Sequence, residues 1–288
     1  MPMPTDVPII DLMLGLPILD LEKTYGSLRD AASDKESKEG FKFPAEYMFK
    51  GVPHGWGEGR DPVEVTLEEM DKWNIERAMI GISPKSLDAV KTRPDRFIPQ
   101  LHIDPNRGMQ TIYDIVRAHD EAGIKAVGCF PAGLMPQVAI NEPRFYPVYS
   151  KCCELDLPMF INAGVPGPRV RMHCQHVEHL DEVCYNFPEL RIVTYHGAEP
   201  WEALAVKLML KWPGLHFCTS AFAPKHYPKA IIDYANTRGA EKILYAGYFP
   251  MGLSIERIMT EMRDVPFRDH VWPKFLRENA IRVLKLDA

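Results

Sequence analysis

The sequence predicts an α/β protein in which a parallel β-sheet is covered by helices on both faces. Eight short runs rich in branched and aromatic apolar residues recur along the 288 residues. Segments with the apolar spacing of helices separate these runs. Strands buried on both faces are apolar throughout, and parallel neighbours need a crossover connection, so this alternation favours a parallel sheet.

The eight apolar runs define the predicted strands. Each is short and rich in residues that favour β-structure, such as Ile9 and Ile10 in the first run and Ile192 and Val193 in the sixth. We place the strands at residues 7–13, 75–82, 96–104, 124–131, 158–164, 191–197, 215–220 and 242–250.

Helices are predicted between these strands. Gly123 follows the segment 111–122 as a C-cap, and Gly239 follows the segment 229–237 in the same role. Three further helices precede or follow the middle strands, and one precedes the second strand. They cover residues 66–73, 146–155, 180–187 and 200–210.

Residues 16–64 interrupt this regular pattern with charged and Gly/Pro-rich pieces. A connection of this length is the one long insertion in the chain, and it follows the first strand. Loops after strands lie at the carboxyl ends of those strands, so in a barrel the insertion would lie over the C-terminal rim. We expect it to cover a substrate there.

Composition and charge narrow the class of ligand. A formal charge of −5 argues against nucleic acid and against an anionic membrane surface, because both attract concentrated positive charge. The six cysteines lack the paired spacing of a disulfide framework or a zinc knuckle, which indicates a reducing compartment. We find no signal-peptide pattern and no apolar run of membrane-spanning length, and we predict a cytoplasmic protein that binds a small molecule.

One motif carries a family resemblance. The sixth strand ends in His196-Gly197 and is followed by Pro200-Trp201. This His-Gly-x-x-Pro-Trp pattern resembles the sixth barrel strand of the amidohydrolase superfamily, in the branch related to aminocarboxymuconate semialdehyde decarboxylase. Residues 158–164, 242–250 and 278–284 resemble the fifth strand, the eighth strand and the closing helix of that branch, in the right order.

The resemblance decides between two parallel-sheet folds. The strand pattern alone fits a closed barrel or a doubly wound open sheet, although no Gly-x-Gly-x-x-Gly turn follows the first strand. Barrels of this class need about 250 residues, which one chain of this length supplies. The resemblance implies a (β/α)8 TIM barrel in a single domain, residues 1–288, with the insertion at 16–64. It also implies a small organic acid as substrate and a homodimer.

The metal site that the resemblance implies is altered in this chain. The family pattern is Asp-x-His-x-His on the first strand, His on the fifth and Asp on the eighth. The matching positions here hold Asp11, Met13 and Gly15, then Asn162, then Tyr248. A catalytic zinc needs about three good N, O or S donors, and Met, Gly and an amide do not replace imidazoles. We therefore predict a metal-independent protein without a cofactor.

The catalytic candidates are His196, Tyr248 and Asn162. The ordinary pKa of histidine lies near neutrality, which suits His196 to proton transfer. The phenol and the amide can donate hydrogen bonds to an oxyanion or carboxylate. Each residue also has a structural interpretation: packing for Tyr248, and satisfaction of loop backbone for Asn162.

A second group of residues is predicted to bind the substrate because its members lie at or just beyond strand ends. Arginine pairs with carboxylates through two parallel hydrogen bonds, which suits an acidic substrate. Asp11 has the alternative role of holding the loop after the first strand. The group consists of Asp11, Met13, His102, Arg169, Arg171, Glu199 and Trp201.

Two alternatives remain open at this level. One is a catalytically silent barrel that serves as a binding or scaffold subunit. The other is a relocated metal site built from His102, His54 or the cluster His173, His176 and His179. Histidines three apart on a helix are neighbours, but a third at six residues rotates away, so a solvated surface is the simpler interpretation of the cluster.

Overall fold

The computed structural model describes residues 2–17, 21–39, 45–49, 52, 55 and 57–287. Within them, eight parallel strands form one sheet whose spatial order follows the chain. The strands are β1 (Ile9–Asp11), β2 (Ile75–Gly81), β3 (Phe97–His102), β4 (Ala126–Cys129), β5 (Met159–Asn162), β6 (Ile192–Tyr195), β7 (Leu215–Cys218) and β8 (Ile243–Leu244).

Backbone hydrogen bonds join the first and last strands just beyond their ends. Leu12 N donates to Tyr245 O at 3.3 Å, and Gly15 N donates to Phe249 O at 2.8 Å. The sheet therefore curls until its two edges meet, which leaves no open edge strand. This arrangement is the (β/α)8 TIM barrel that the sequence predicts, with the long insertion after β1.

Helices alternate with the strands as predicted. Those after the insertion are α3 (Pro62–Lys72), α4 (Pro84–Thr92), α5 (Met109–Ala122), α6 (Tyr146–Glu154), α7 (His179–Asn186), α8 (Glu202–Lys211), α9 (Lys229–Tyr234), α10 (Ile255–Met262) and α11 (Asn279–Leu284). Gly123 adopts a left-handed conformation and caps α5, as expected. The short helices α4 and α10 were not predicted; each begins at a serine cap, Ser83 or Ser254.

The described part of the insertion contains two helices, α1 (Leu21–Ala31) and α2 (Lys35–Glu39). It touches the loop after β5 at the C-terminal end of the barrel. Tyr47 Oη donates to Gly167 O at 2.7 Å, and Arg169 Nη1 pairs with Asp34 at 3.0 Å and with Glu36 at 2.8 Å. These contacts place the chain between β1 and β2 beside the strand ends.

The core has two layers. The larger one lies between the strands and the surrounding helices. The smaller one fills the barrel interior, where side chains of alternating strand positions meet. Buried residues of α11 belong to this inner layer, and Arg191 at the start of β6 bonds to Val283 O at 3.0 Å. The last helix therefore closes the N-terminal end of the barrel, which leaves the C-terminal end for a site.

The structure shortens the predicted eighth strand most. Only Ile243 and Leu244 pair in the sheet, whereas the sequence predicts residues 242–250. Beyond Leu244 the backbone turns to bond the end of the first strand, through Tyr245 O and Gly247 N. Apolar residues there are buried by packing rather than by strand pairing.

None of the helices formed by the described residues is long and apolar enough to cross a membrane.

Candidate active site

A polar bridge crosses the barrel interior near the C-terminal strand ends. Tyr195 Oη on β6 donates to Leu12 O at 2.9 Å and accepts from Gln100 Nε2 at 3.3 Å. Burial raises the pKa of Tyr195 well above its usual value, so the phenol keeps its proton. The bridge links β3 and β6 to the residue that follows β1, and it lies below the mouth of the barrel.

His102 lies two residues beyond Gln100 on the same inner face of β3. Its side chain is exposed, and it makes no hydrogen bond to any described residue. Glycines flank the ring on both neighbouring strands: a Cβ on Gly81 would lie 3.1 Å from His102 Cδ2, and one on Gly128 would lie 3.1 Å from Cε1. Although the residue is exposed, the protein packed around its ring excludes part of the water, and this desolvation lowers the pKa of His102.

His196 follows β6 directly and adopts a left-handed conformation, with φ 63°. This region is uncommon for residues other than glycine and is often associated with functional sites. Ser220, after β7, holds the histidine: its Oγ lies 3.0 Å from the backbone N and 3.0 Å from Nδ1 of His196. Burial lowers the pKa of His196 to about 4, and a hydrogen bond with the Ser220 backbone acts in the opposite direction. The imidazole is therefore neutral at pH 7.

Tyr248, after β8, packs against His196. The two rings meet edge to face, with centroids 5.5 Å apart and planes at 81°. On its other side Tyr248 stacks on Phe49 of the insertion at 5.7 Å. Gly252 makes room for both rings, because a Cβ there would lie 2.8 Å from Tyr248 and 2.9 Å from Phe49. The insertion thus reaches the ring that contacts His196.

Asn162 ends β5 and pairs in register with Tyr195 of β6. The residue is buried, and its side-chain amide forms no hydrogen bond with any residue in the described part of the chain. Its amide atoms are not among the fully buried polar atoms that lack a partner, so they keep contact with solvent. Asn162 is therefore available to a bound molecule.

Asp11 is fully buried and acts as a link between two loops. Its Oδ1 accepts from Met13 N at 2.9 Å and from Gly247 N at 2.8 Å. Burial raises the pKa of Asp11 to about 6, and these backbone hydrogen bonds act in the opposite direction. Met13 itself is half-buried and packs against the inner core layer. Asp11 therefore holds the chain after β1 to the chain after β8.

The other predicted substrate-binding residues lie in the surrounding loops. Arg169 is bound by its two carboxylate partners and lies 4.7 Å from the Tyr47 ring. Trp201 contacts His176, with ring centroids 4.1 Å apart. Arg171 and Glu199 are exposed. The structure therefore places His196, Tyr248, His102 and Asn162 at or just after the ends of strands, and His196 and Tyr248 contact each other. Arg169 and Trp201 have partners in the loops.

Two residues that the sequence did not predict as part of the site, Ser220 and Cys218, lie beside His196. Ser220 and Cys218 are fully buried, and their polar atoms lie 3.6 Å apart. Ser220 contacts the catalytic candidate His196, yet it was only a strand-end residue in the sequence. The one available signal was its position two residues after Cys218 on a predicted strand, since such residues share a face. The sequence does not give the residue that this face of Cys218 and Ser220 contacts, because that residue belongs to the neighbouring strand.

The side chains at the family's metal positions do not fit a metal ion. Met13 offers a thioether, Gly15 offers no side chain, and Asn162 offers an amide, which are poor ligands for zinc or manganese. Within the described ranges, no three His, Cys, Asp or Glu residues lie close enough together to hold an ion.

The three histidines of the alternative metal site lie side by side. His179 contacts His173 at 5.4 Å and His176 at 6.1 Å between ring centroids. The expectation that the third histidine rotates away is wrong, because residues 173–179 do not form one continuous helix. Nε2 of His179 bonds to His173 O, and the His176 ring packs against Trp201. His102 has no polar partner among the described residues, and His54 lies outside them.

A cavity of about 270 Å³ lies on the outer side of β3, between α4 and α5. Two arginines on its rim, Arg107 and Arg117, both form ion pairs with Asp114. His102 of the strand-end group is among the residues that line this cavity, whereas His196, Tyr248 and Asn162 are not.

Comparison with protein families supports the resemblance seen in the sequence. A family model described as amidohydrolase matches residues 53–286. The chain belongs to this amidohydrolase family. A search of curated proteins found no match.

Solved structures of the same fold cover nearly the whole chain. An uncharacterized TIM-barrel protein from Bordetella bronchiseptica is 20% identical, with a TM-score of 0.73 and coverage of 97% of this chain and 99% of that one. A 5-carboxyvanillate decarboxylase from Novosphingobium aromaticivorans, complexed with manganese and a nitrobenzoic acid, is 17% identical (TM-score 0.71; coverage 98% and 97%). A probable 2-pyrone-4,6-dicarboxylic acid hydrolase from Acinetobacter baumannii is 13% identical (TM-score 0.65; coverage 96% and 99%).

Proposed function

We propose that this protein is a metal-independent enzyme that acts on a small organic acid, by decarboxylation or hydrolysis, with His196 as the acid/base. The observation that carries the proposal is the neutral imidazole of His196 beside the barrel mouth, held through Nδ1 by Ser220. Family membership and the decarboxylases and hydrolase of similar fold support both the substrate class and the choice of reactions.

In this proposal His196 moves one proton. In decarboxylation, neutral His196 first takes the proton of the substrate's carboxylic acid. The bond between the substrate carbon and the carboxylate then breaks, CO2 leaves, and the imidazolium returns that proton to the carbon left with the electron pair. In hydrolysis, neutral His196 takes the proton from an attacking water and returns it to the leaving group. Its low pKa makes the imidazolium a strong proton donor once it forms. No step is assigned to a metal, because the side chains at the family's metal positions do not fit one.

Tyr248 and Asn162 stabilise the oxygen that gains negative charge. The Tyr248 ring contacts His196, and the Asn162 amide has no partner among the described residues. A hydrogen-bond donor that is already oriented stabilises developing charge without reorganisation during the reaction. We assign these two residues to the substrate carbonyl or carboxylate.

The remaining predicted residues shape the binding site. His102 and Met13 contact the substrate from the inner face, and Asp11 holds the loops after β1 and β8 together. Arg171 and Glu199 lie exposed, while Arg169 and Trp201 order the loops after β5 and β6. We expect the barrel and the insertion over its strand ends to form one domain. We also expect the protein to function as a cytoplasmic homodimer, without nucleic-acid or membrane partners.

The test is a turnover screen with 5-carboxyvanillate, 2-pyrone-4,6-dicarboxylate and related aromatic acids, following CO2 release and ring opening separately. We expect His196→Ala to reduce kcat by at least about 100-fold, as removal of a general acid/base usually does. His270→Ala is the control, because His270 is exposed. Activity within a few-fold of wild type in His196→Ala contradicts the assignment, and activity that follows zinc or manganese content contradicts metal independence.

The second candidate function is a catalytically silent barrel that binds its ligand as a scaffold subunit. Replacement of the family's ligands by Met13, Gly15 and Asn162 is the observation that favours it. A thermal-shift screen of the same acids and their thioesters separates the two functions. Saturable binding without turnover by the wild-type protein supports the scaffold, whereas turnover supports the enzyme.

A further inference from the structure

Gln175 is a buried residue in the loop after β5, and its side-chain amide joins two loops at the C-terminal end of the barrel. Its Oε1 accepts from Ala132 N, in the loop after β4, at 3.1 Å, and its Nε2 donates to Gly164 O at 3.1 Å. Gly164 N donates in return to Gln175 O at 2.9 Å. Both backbone polar groups of Gly164 are therefore bound to this one glutamine.

Gly164 lies against the backbone that follows His196. A Cβ at this position would lie 2.8 Å from Glu199 N and 2.9 Å from Ala198 C, so only glycine permits the contact. The next residue, Val165, donates its backbone N–H to Glu199 O at 2.8 Å. The loop after β5 therefore holds the loop after β6 by backbone packing and by a backbone hydrogen bond.

The segment that this contact holds has an uncommon conformation. His196, Gly197 and Ala198 have consecutive positive φ angles of 63°, 81° and 56°. Residues other than glycine avoid this region, and the conformation persists only where the surrounding structure enforces it. Ser220 Oγ accepts from His196 N at 3.0 Å, which fixes the start of the segment. The contacts of Gly164 and Val165 fix its end, beside Glu199.

We propose that Gln175 is a positioning residue: through Gly164 it holds the left-handed segment 196–198 and thereby sets the place of the His196 imidazole at the barrel mouth. Loss of the amide would leave Gly164 O and Ala132 N without their buried partner, which weakens the attachment of the loop after β5. The effect on catalysis rests on the proposed function, whereas the effect on the position of His196 does not.

The test is Gln175→Met, because methionine has a similar length and forms neither hydrogen bond. Burial lowers the pKa of His196 to about 4, and a loosened segment should admit water to the ring, so we expect this pKa to rise by at least about 1. 13C NMR of the histidine rings between about pH 5 and 8 measures the change, and the His196 signal is identified by its loss in His196→Gln. Burial lowers the pKa of His216, at the other end of the barrel, to about 3, so its ring should stay neutral throughout.

Gln137→Met is the matched control. The Nε2 of Gln137 donates to Ala132 O and to Arg171 O, both at 2.9 Å, so it joins the same two loops without contacting Gly164. We expect the wild-type titration of His196 in this variant. With a substrate found in the turnover screen, kcat should fall at least about 10-fold in Gln175→Met with little change in KM, and it should stay near wild type in Gln137→Met.

A Gln175→Met protein with a lower Tm but an unchanged His196 titration has lost stability alone, and that result overturns the proposal. An equal rise of the His196 pKa in Gln137→Met also overturns it. Val165→Pro decides the question if Gln175→Met fails to fold, because it removes the N–H that bonds Glu199 O at an exposed position; the pKa should rise, and an unchanged pKa overturns the proposal. If the pKa rises in Gln175→Met but His196→Ala retains turnover, the proposed function fails while this inference holds.

Discussion

The imidazole of His196 and the phenol ring of Tyr248 meet edge to face, with centroids 5.5 Å apart. Tyr248 also stacks on Phe49, so its ring links the insertion to His196. Aromatic pairs in this geometry contribute about 0.5–1.5 kcal/mol beyond their buried area. The Tyr248 ring therefore positions both His196, the candidate acid/base, and the part of the insertion around Phe49.

Two substitutions at Tyr248 should separate its ring from its hydroxyl. Tyr248→Phe keeps the ring contacts with His196 and Phe49, and we expect a kcat at least about 10-fold lower, because the donor to the charged oxygen is lost. Tyr248→Ala should also destabilise the fold by about 1–3 kcal/mol, because the ring packing is lost. The measurements are thermal unfolding and steady-state kinetics. Full activity in Tyr248→Phe would leave the ring with a packing role alone.

His196 should make stability depend on pH in the acid range. Burial lowers its pKa from 6.5 to about 4, so between these pH values the unfolded chain binds more protons than the folded protein. The stability associated with neutral His196 is complete above about pH 6.5 and is lost as the pH falls towards 4. Urea unfolding at a series of pH values should show a weaker decline in His196→Asn, since an amide does not titrate and asparagine tolerates a left-handed backbone. Parallel pH curves for the two proteins would contradict this prediction.

Asp11 should have the opposite pH dependence. Burial raises the pKa of Asp11 from 3.8 to about 6, so between these pH values the folded protein binds more protons than the unfolded chain. The stability of the fold therefore falls as the pH rises through this range, and the loss is complete above about pH 6. Asp11→Asn keeps an oxygen for Met13 N and Gly247 N but carries no charge. We expect it to be more stable than wild type at pH 8, by up to about 3 kcal/mol.

Asp11→Ala is the matched comparison. Both substitutions remove the buried charge, but alanine also removes the acceptor of both backbone N–H groups, so Asp11→Ala should be less stable than Asp11→Asn at pH 8 by about 1–3 kcal/mol for each buried donor left without a partner. Equal stability of Asp11→Asn and Asp11→Ala would show that the link between the two loops contributes little.

Gly81 should be required because of His102. A Cβ at this position would lie 3.1 Å from the His102 ring, which is closer than ordinary packing distance. We expect Gly81→Ala to destabilise the protein by about 1–2 kcal/mol, as overpacking does. In the His102→Ala background the same substitution should cost little, since the ring is gone. A double-mutant cycle by urea unfolding measures this coupling, and independent effects of the two substitutions would be evidence against it.

Much of the fold was predictable because it is encoded by local patterns. The runs around Ile9, Ile192 and Leu215 predicted strands within a few residues of their observed bounds, and Gly123 ended a helix as expected. The altered metal positions were also visible, because they depend only on which residues stand at Met13 and Asn162. Helix α4 was missed because it is short and its capping signal, Ser83 with Ser86, has no strong apolar period beside it.

The sequence by itself determined the strand and helix pattern, the family and the identity of the strand-end side chains, since periodicity and residue type act along the chain. Only the tertiary structure decided that Ser220 bonds His196, that Arg169 pairs with Asp34 and Glu36, and that two glycines flank His102. The physical reason is that these contacts join residues up to 135 positions apart, as in the Arg169–Asp34 pair. They depend on strand register, on the closure of the sheet and on the rotamer of each side chain, which no local pattern specifies.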